Sequence, residues 1–245
     1  MFSFGSGVLL GTRTDVANAT PINFGLVQEV QLDLSYTSKE LYGQFQWPVA
    51  IARGQGKITG KAKMARISGI AFNNLFFGQT LTAGQLATSF GEAGTVTAGS
   101  VTAVNNGAGV FGDDYGVVYA ATGLPLTKVA SAPAVGQYSV SSAGVYTFNS
   151  GDNGKQVLLS YTFTVSASGQ QVTLPNPLLG TTPTFQAQLF TTFQGQPLNV
   201  KLFNCVSNKL GFHTKLEDFV VPELDFSVAA NATGNVLQWS FAEAS

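Results

Sequence analysis

Val30-Gln-Leu-Asp-Leu-Ser-Tyr-Thr37 sets apolar against polar side chains at every second position. Period two marks a strand with one buried and one wet face. The same period returns from Arg53 to Ile67. There Ile58, Gly60, Ala62 and Met64 point one way, and Lys57, Thr59, Lys61 and Lys63 the other. Between the two runs, Lys39-Glu-Leu-Tyr-Gly-Gln-Phe-Gln-Trp-Pro48 reads as a loop carrying large aromatics. Downstream, Ile67, Ile70, Ala71 and Leu75, with Phe72 and Phe76, recur at three to four residues. Ser68 suits an N-cap and Gly78 a stop, which predicts the one helix of the chain.

Outward from this core the patterns stay β. The stretch 91–174 carries short runs bounded by turn residues: Val117–Ala120, Gly136–Val140, Val145–Asn149, Gln156–Val165 and Gln171–Leu174. Ser150-Gly-Asp-Asn-Gly154 between two such runs reads as a hairpin turn. Strands this closely spaced predict a small β-sandwich of immunoglobulin-like type. Longer runs then return. Phe185–Phe193 and Leu198–Val206 predict a hairpin through Gln194–Pro197. Phe219–Ala229 and Val236–Phe241 predict a second, turned by Asn231–Asn235. The expected fold is all-β with one flanking helix. One β domain, 1–90 and 175–245, is split by an inserted module at 91–174.

The composition narrows the function classes. Only 10% of the 245 residues are charged, with 12 basic against 13 acidic side chains, well below the ~25% of an ordinary soluble domain. Charge keeps monomers apart, so either copies of the chain cover one another or this is a secreted sandwich with a neutral surface. A net charge of −1 gives no long-range attraction for nucleic acid or anionic membrane. A single Cys205 and a single His213 leave no disulfide framework, no Cys-based zinc site and no two-His metal site within one chain. The start of the chain has no basic, apolar leader, and no run approaches the ~18 apolar residues of a membrane span. Synthesis and assembly in a cytoplasm are expected.

Catalytic and cofactor motifs are poor. Gly54-Gln-Gly56-Lys-Ile-Thr-Gly60-Lys61-Ala62 lacks the spacing of a phosphate loop and has Ala62 where a hydroxyl is needed. His213 with Glu217 and Asp218 lacks a nucleophile. Asp113-Asp114 supplies too few oxygens for a Ca²⁺ cage and reads as a solvated turn. No enzyme, cofactor or metal is expected. The charge layout says more. Arg53, Lys57, Lys61, Lys63 and Arg66 form a basic block, and Glu217, Asp218, Glu223, Asp225 and Glu243 an acidic one. Opposed blocks suggest pairing within the fold or between subunits. A basic strand without interleaved aromatics does not look like a single-strand binder.

The chain resembles the major tail tube proteins of tailed bacteriophages with long non-contractile tails. The resemblance rests on Ser35-Tyr-Thr-Ser-Lys-Glu-Leu-Tyr-Gly-Gln44, Pro48-Val-Ala-Ile-Ala-Arg-Gly-Gln-Gly-Lys-Ile-Thr-Gly-Lys-Ala-Lys63, Gly144-Val-Tyr-Thr-Phe148 and Gly154-Lys-Gln-Val-Leu-Leu-Ser-Tyr-Thr-Phe163. It extends to Thr214-Lys-Leu-Glu-Asp-Phe219 and Pro222-Glu-Leu-Asp-Phe226. It implies a tube-type β-sandwich or barrel and hexameric rings stacked into a virion tail tube. Double-stranded DNA would pass through the lumen without specific binding. It further implies the insert on the tube exterior, and as partners the chain itself, a tape measure, a tail tip and a terminator. The candidate interface charges are then Arg53, Lys57, Lys61, Lys63, Arg66, Glu217, Asp218, Glu223 and Asp225. Rival readings are a capsid decoration or tail terminator protein, and a carbohydrate-binding β-sandwich that would use Trp47 and Trp239.

Overall fold

The structure is a computed structural model that describes residues 5–241 apart from Ile67, Asn106 and Ala108. Ile67 and Glu243, expected in the helix and in the acidic block, lie outside the described residues. The chain is mainly β, 58% strand against 5% helix, in antiparallel ladders except for one short parallel pair. It divides into two compact units, Met1–Gln79 with Leu174–Ser245, and Thr80–Thr173.

Among the described residues the first unit forms one sheet of eight strands, numbered here along the chain. They are β1 (Val8–Arg13), β2 (Ile22–Asn23), β3 (Val27–Tyr42), β4 (Pro48–Met64), β12 (Thr184–Phe193), β13 (Gln196–Gly211), β14 (Glu223–Ala229) and β15 (Leu237–Phe241). Their order is β2-β1-β12-β13-β14-β4-β3, with β15 also on β13. The sheet is wet on one face. The other buries Leu9, Ala62, Met64, Phe185, Leu202, Leu224 and Phe226 against Phe72 and Leu75 of the helical segment. That segment fills the predicted span between Ser68 and Gly78, but only its first turn is α-helical. The α-helix α1 is only Gly69–Phe72, and a π-helical turn, Asn73–Phe77, follows. Ser68 caps it as expected, accepting from the Ala71 N–H at 3.3 Å. Gly78 stops it as expected, in the left-handed region, and the buried Asn73 side chain secures the end by holding Gln79 through both its N–H and its C=O.

Two expected connections of this unit come out differently. β12 and β13 form the predicted hairpin, closed at Phe193–Gln196 through Gln194 and Gly195, both at positive φ. β14 and β15 do not pair with each other. Both lie on β13, Asn204–Gly211 holding β14 and Leu198–Leu202 holding β15. The Asn231–Asn235 loop is therefore an excursion between two collinear strands. Asn231 ties it off, its Oδ1 accepting from the N–H groups of Thr233 and Asn235. The stretch Lys39–Pro48 is also not a loop. β3 and β4 run through it, and only Gly43–Trp47 turn.

Gly60 fixes how closely β4 and β14 approach. It faces Phe226 in the ladder, and a Cβ there would lie 2.1 Å from the buried Phe226 ring. Gly60→Val is expected to lower stability by about 3 kcal/mol, the upper range for overpacking a filled core. Denaturant unfolding with an unchanged m-value checks this. A midpoint equal to the wild type would show that the ring can move aside.

The second unit has two sheets around one core. β5 (Thr82–Thr95), β11 (Gln156–Gln171) and β7 (Val110–Tyr119) form the first, in the order β5-β11-β7. β6 (Ser100–Thr102), β10 (Val145–Phe148), β9 (Gln137–Val140) and β8 (Thr127–Lys128) form the second, in that order. Tyr138, Tyr146, Phe148, Val157, Leu159 and Tyr161 fill the space between them. The unit begins at Thr80 and not at 91, because β5 is a partner of β11 along its length. β11 runs on past the expected end at Val165 to Gln171, and the strand expected at Gln171–Leu174 does not form, since 172–174 lie outside any strand. Ser150–Gly154 is not a hairpin turn: β10 belongs to one sheet and β11 to the other, and a short 3-10 turn at Ser150–Asp152 carries the chain across.

Candidate functional site

The most unusual feature of the first unit is the free end of the β3–β4 pair. β14 bonds β4 only from Ile58 to Lys63. Beyond Ile58 the two strands pair with each other alone, out to Tyr42 and Pro48. At about 3.3 Å per residue, the stretch from Pro48 to Lys57 forms an arm about 30 Å long. No core covers either face. Leu41, Tyr42, Val49 and Ile51 are all exposed, and at the tip Phe45 is 73% and Trp47 81% exposed. A two-stranded ribbon with large apolar side chains on both faces is marginal alone in water, and its free edges template pairing with another chain.

The register sorts the nine candidate charges into two groups. On the wet face of the sheet, Lys61 faces Gln31 on β3 and Asp225 on β14, and Lys63 faces Glu29 and Glu223. Lys61 Nζ lies 2.7 Å from Glu223 and Lys63 Nζ 2.6 Å from Glu29, and Lys209 reaches Glu223 at 3.4 Å. The Lys61 ammonium holds the Glu223 carboxyl below the usual range, against some desolvation, with Lys209 adding to the effect. Asp225, flanked by Lys61 and Lys209 in the ladder, keeps a buried Oδ1 without a hydrogen bond. Lys61, Lys63 and Glu223 therefore pair within the chain, while Asp225 only faces its lysines across the ladder. Asp218 pairs with Lys215 at 3.5 Å. The others stand apart. The Arg53 guanidinium sits 4.7 Å from the Tyr36 ring centroid. Among the described residues, Lys57, Arg66 and Glu217 have no ion-pair partner.

The second unit holds polar chemistry that the sequence reading missed. Asp114 is not in a solvated turn. Its side chain is 2% exposed and takes Lys128 at 2.9 Å, the Tyr138 and Tyr146 hydroxyls at 2.8 and 3.1 Å, and the Gly116 N–H. Asp152, equally buried, takes Lys155, the Tyr119 hydroxyl and the Gly136 N–H. Glu92 takes the Tyr161 hydroxyl and the N–H groups of Val104 and Asn105. Each carboxylate is fully engaged by donors of its own unit, so these are structural ties and not open sites.

Little else converges. Among the described residues no three His, Cys, Asp or Glu side chains group as a metal site. The glycine-lysine stretch from Gly54 to Ala62 is extended strand β4. His213 is exposed and hydrogen-bonds neither Glu217 nor Asp218. Cys205 is buried in the first unit's core, and burial pushes its thiol up to about 12. No described helix is long and apolar enough to cross a membrane. A comparison of the chain with protein-family models finds no match, and neither does a comparison with curated proteins.

Proposed function

We propose that this chain is a structural virion protein, a tail tube subunit of a tailed bacteriophage. It assembles into hexameric rings stacked into a conduit for double-stranded DNA. The observation that carries the reading is the β3–β4 arm, a long apolar ribbon that needs a second chain to cover it. The resemblance set out above gives that second chain its identity, another copy of this one. Head-to-tail contacts between identical subunits close into rings or run on into filaments, and a tube uses both. The charge ladder agrees with passage of DNA. A conduit must not accumulate phosphate contacts, since each one neutralised adds salt-dependent affinity. Lys61 and Lys209 share the Glu223 carboxylate, and Lys63 holds that of Glu29. The Thr80–Thr173 unit joins the first between the helical segment and β12, outside every strand of the large sheet. In this reading it decorates the tube exterior.

Negative-stain microscopy and light scattering of the purified chain, alone and with native tail tips as nuclei, test the proposal. Rings or tubes of uniform width are expected. A chain that stays monomeric even on tail tips sinks it.

A further inference from the structure

The sheet splits where β4 leaves β14. β14 ends at Ala229, the Asn231–Asn235 loop swings out, and β15 resumes on β13 at Leu237. A cleft of about 640 Å³ opens there, lined by Leu34, Tyr36, Lys57, Val228, Asn235 and Leu237 among others. Along it the β4 edge below Ile58 has no ladder partner. An unpaired edge beside a cleft accepts an extended segment of another chain.

The charge sorting indicates which segment. Lys57 lies in the cleft without a carboxylate, and Arg53 stands further along the arm with only the Tyr36 ring. Of the four described candidate acids, Glu217 is the exposed one without an ion pair, in the loop that leads into β14, while Asp225 is half-buried between two lysines. Its loop neighbours Leu216 and Phe219 are 99% and 91% exposed. One patch is basic and lined by apolar side chains; the other is acidic and flanked by them. They lie at opposite ends of β14, whose seven residues span roughly 20 Å, and they do not meet within one chain. Two different complementary patches at opposite ends of one element make a head-to-tail contact between copies.

We infer, resting on the self-assembly reading above, that the Lys215–Pro222 loop of one copy seats in this cleft of the next. Glu217 then meets Lys57 and Arg53. Leu216 and Phe219 cover the apolar side chains at the base of the arm. The contact is directional, because the donor and acceptor ends of a subunit differ.

Charge exchange tests it. Lys57→Glu and Glu217→Lys should each raise the concentration needed for polymerisation at least about tenfold, with circular dichroism unchanged. The chain carrying both substitutions should polymerise like the wild type. An equimolar mixture of the two single variants should also recover, because each then offers the patch the other lacks. A Lys57→Cys, Glu217→Cys chain should form a ladder of intermolecular disulfides on oxidation of its polymers, with the buried Cys205 silent. Single variants that polymerise normally overturn the inference while the assembly reading stands. So does a folded double variant that fails to recover. A wild-type chain that never polymerises removes the assembly reading and the inference with it.

Discussion

A chain carrying Phe45→Ser, Trp47→Ser and Ile51→Ser is expected to fold like the wild type and to lose polymerisation. These side chains are exposed at the tip and flank of the arm and belong to neither buried core. Surface changes away from packed features shift stability by about 0.5 kcal/mol or less. At an interface the balance differs. Buried aromatic anchors carry about 2 kcal/mol or more each. Losing two of them weakens each contact about a thousandfold, and every subunit of a tube repeats the loss. Melting temperature by circular dichroism and polymer mass by light scattering separate the two effects. Wild-type polymerisation by this variant would show that the arm is not the contact, and the reading of the chain as a tube subunit would lose its main support. A large drop in melting temperature would instead mean that the arm folds back onto its own sheet in solution.

The arm also marks the limit of what the sequence could say. Val30–Asp33 and Ile58–Met64 were legible because one face meets a core, so apolar and polar residues alternate cleanly, and Leu34 and Tyr36 carry the period a little further although they are exposed. Past Ile58 there is no core. Gly54, Gly56 and Gly43 break the run, and a bulge at Tyr36/Ser38 shifts the register. A strand held only by its hairpin partner leaves no period-two signature. β5 was hidden for a related reason. Thr82–Thr95 is rich in Gly, Ala and Thr, and it is a strand because β11 pairs with it. Ser150–Gly154 was correctly a turn. Where it leads was set by Asp152, whose carboxylate gathers Tyr119, Gly136 and Lys155 from separate segments. The opposed charge blocks were visible in the sequence. Which members cancel depended on register: β4 between β3 and β14 brings Lys61 to Glu223, and Lys63 to Glu29 outside the acidic block. Among the exposed candidates, Arg53, Lys57, Arg66 and Glu217 stay open for a second chain, and the half-buried Asp225 stays between Lys61 and Lys209.

Asp114→Ala should produce the largest loss of stability in the second unit. The substitution removes the acceptor for Lys128, Tyr138, Tyr146 and the Gly116 N–H together. The half-exposed Lys128 returns to water, but the Tyr138 and Tyr146 hydroxyls stay buried and unmet at about 1–3 kcal/mol each. In a unit of this size that is a fall of roughly 15–30 °C in melting temperature. The effect should fade in acid, and the sign follows from the carboxyl itself. Burial pushes the Asp114 carboxyl up, but Lys128, the Tyr138 hydroxyl and the Gly116 N–H together outweigh it and hold it below the usual Asp range. A lowered native value gives stability that is complete above the ordinary Asp value of about 3.9 and is lost as pH falls through the native one. The gap between wild type and Asp114→Ala should therefore be full at neutral pH and shrink below about pH 4. Asp152 is held low in the same way, but it is present in both chains and cancels from the difference. Near-UV circular dichroism, which reports the packed tyrosines, follows this unit during melts at several pH values. A gap that stays constant into strong acid would show that Asp114 acts by filling space and not by its charge. An Asp114→Ala chain as stable as the wild type at neutral pH would show that its donors find water or other acceptors once the carboxylate is gone.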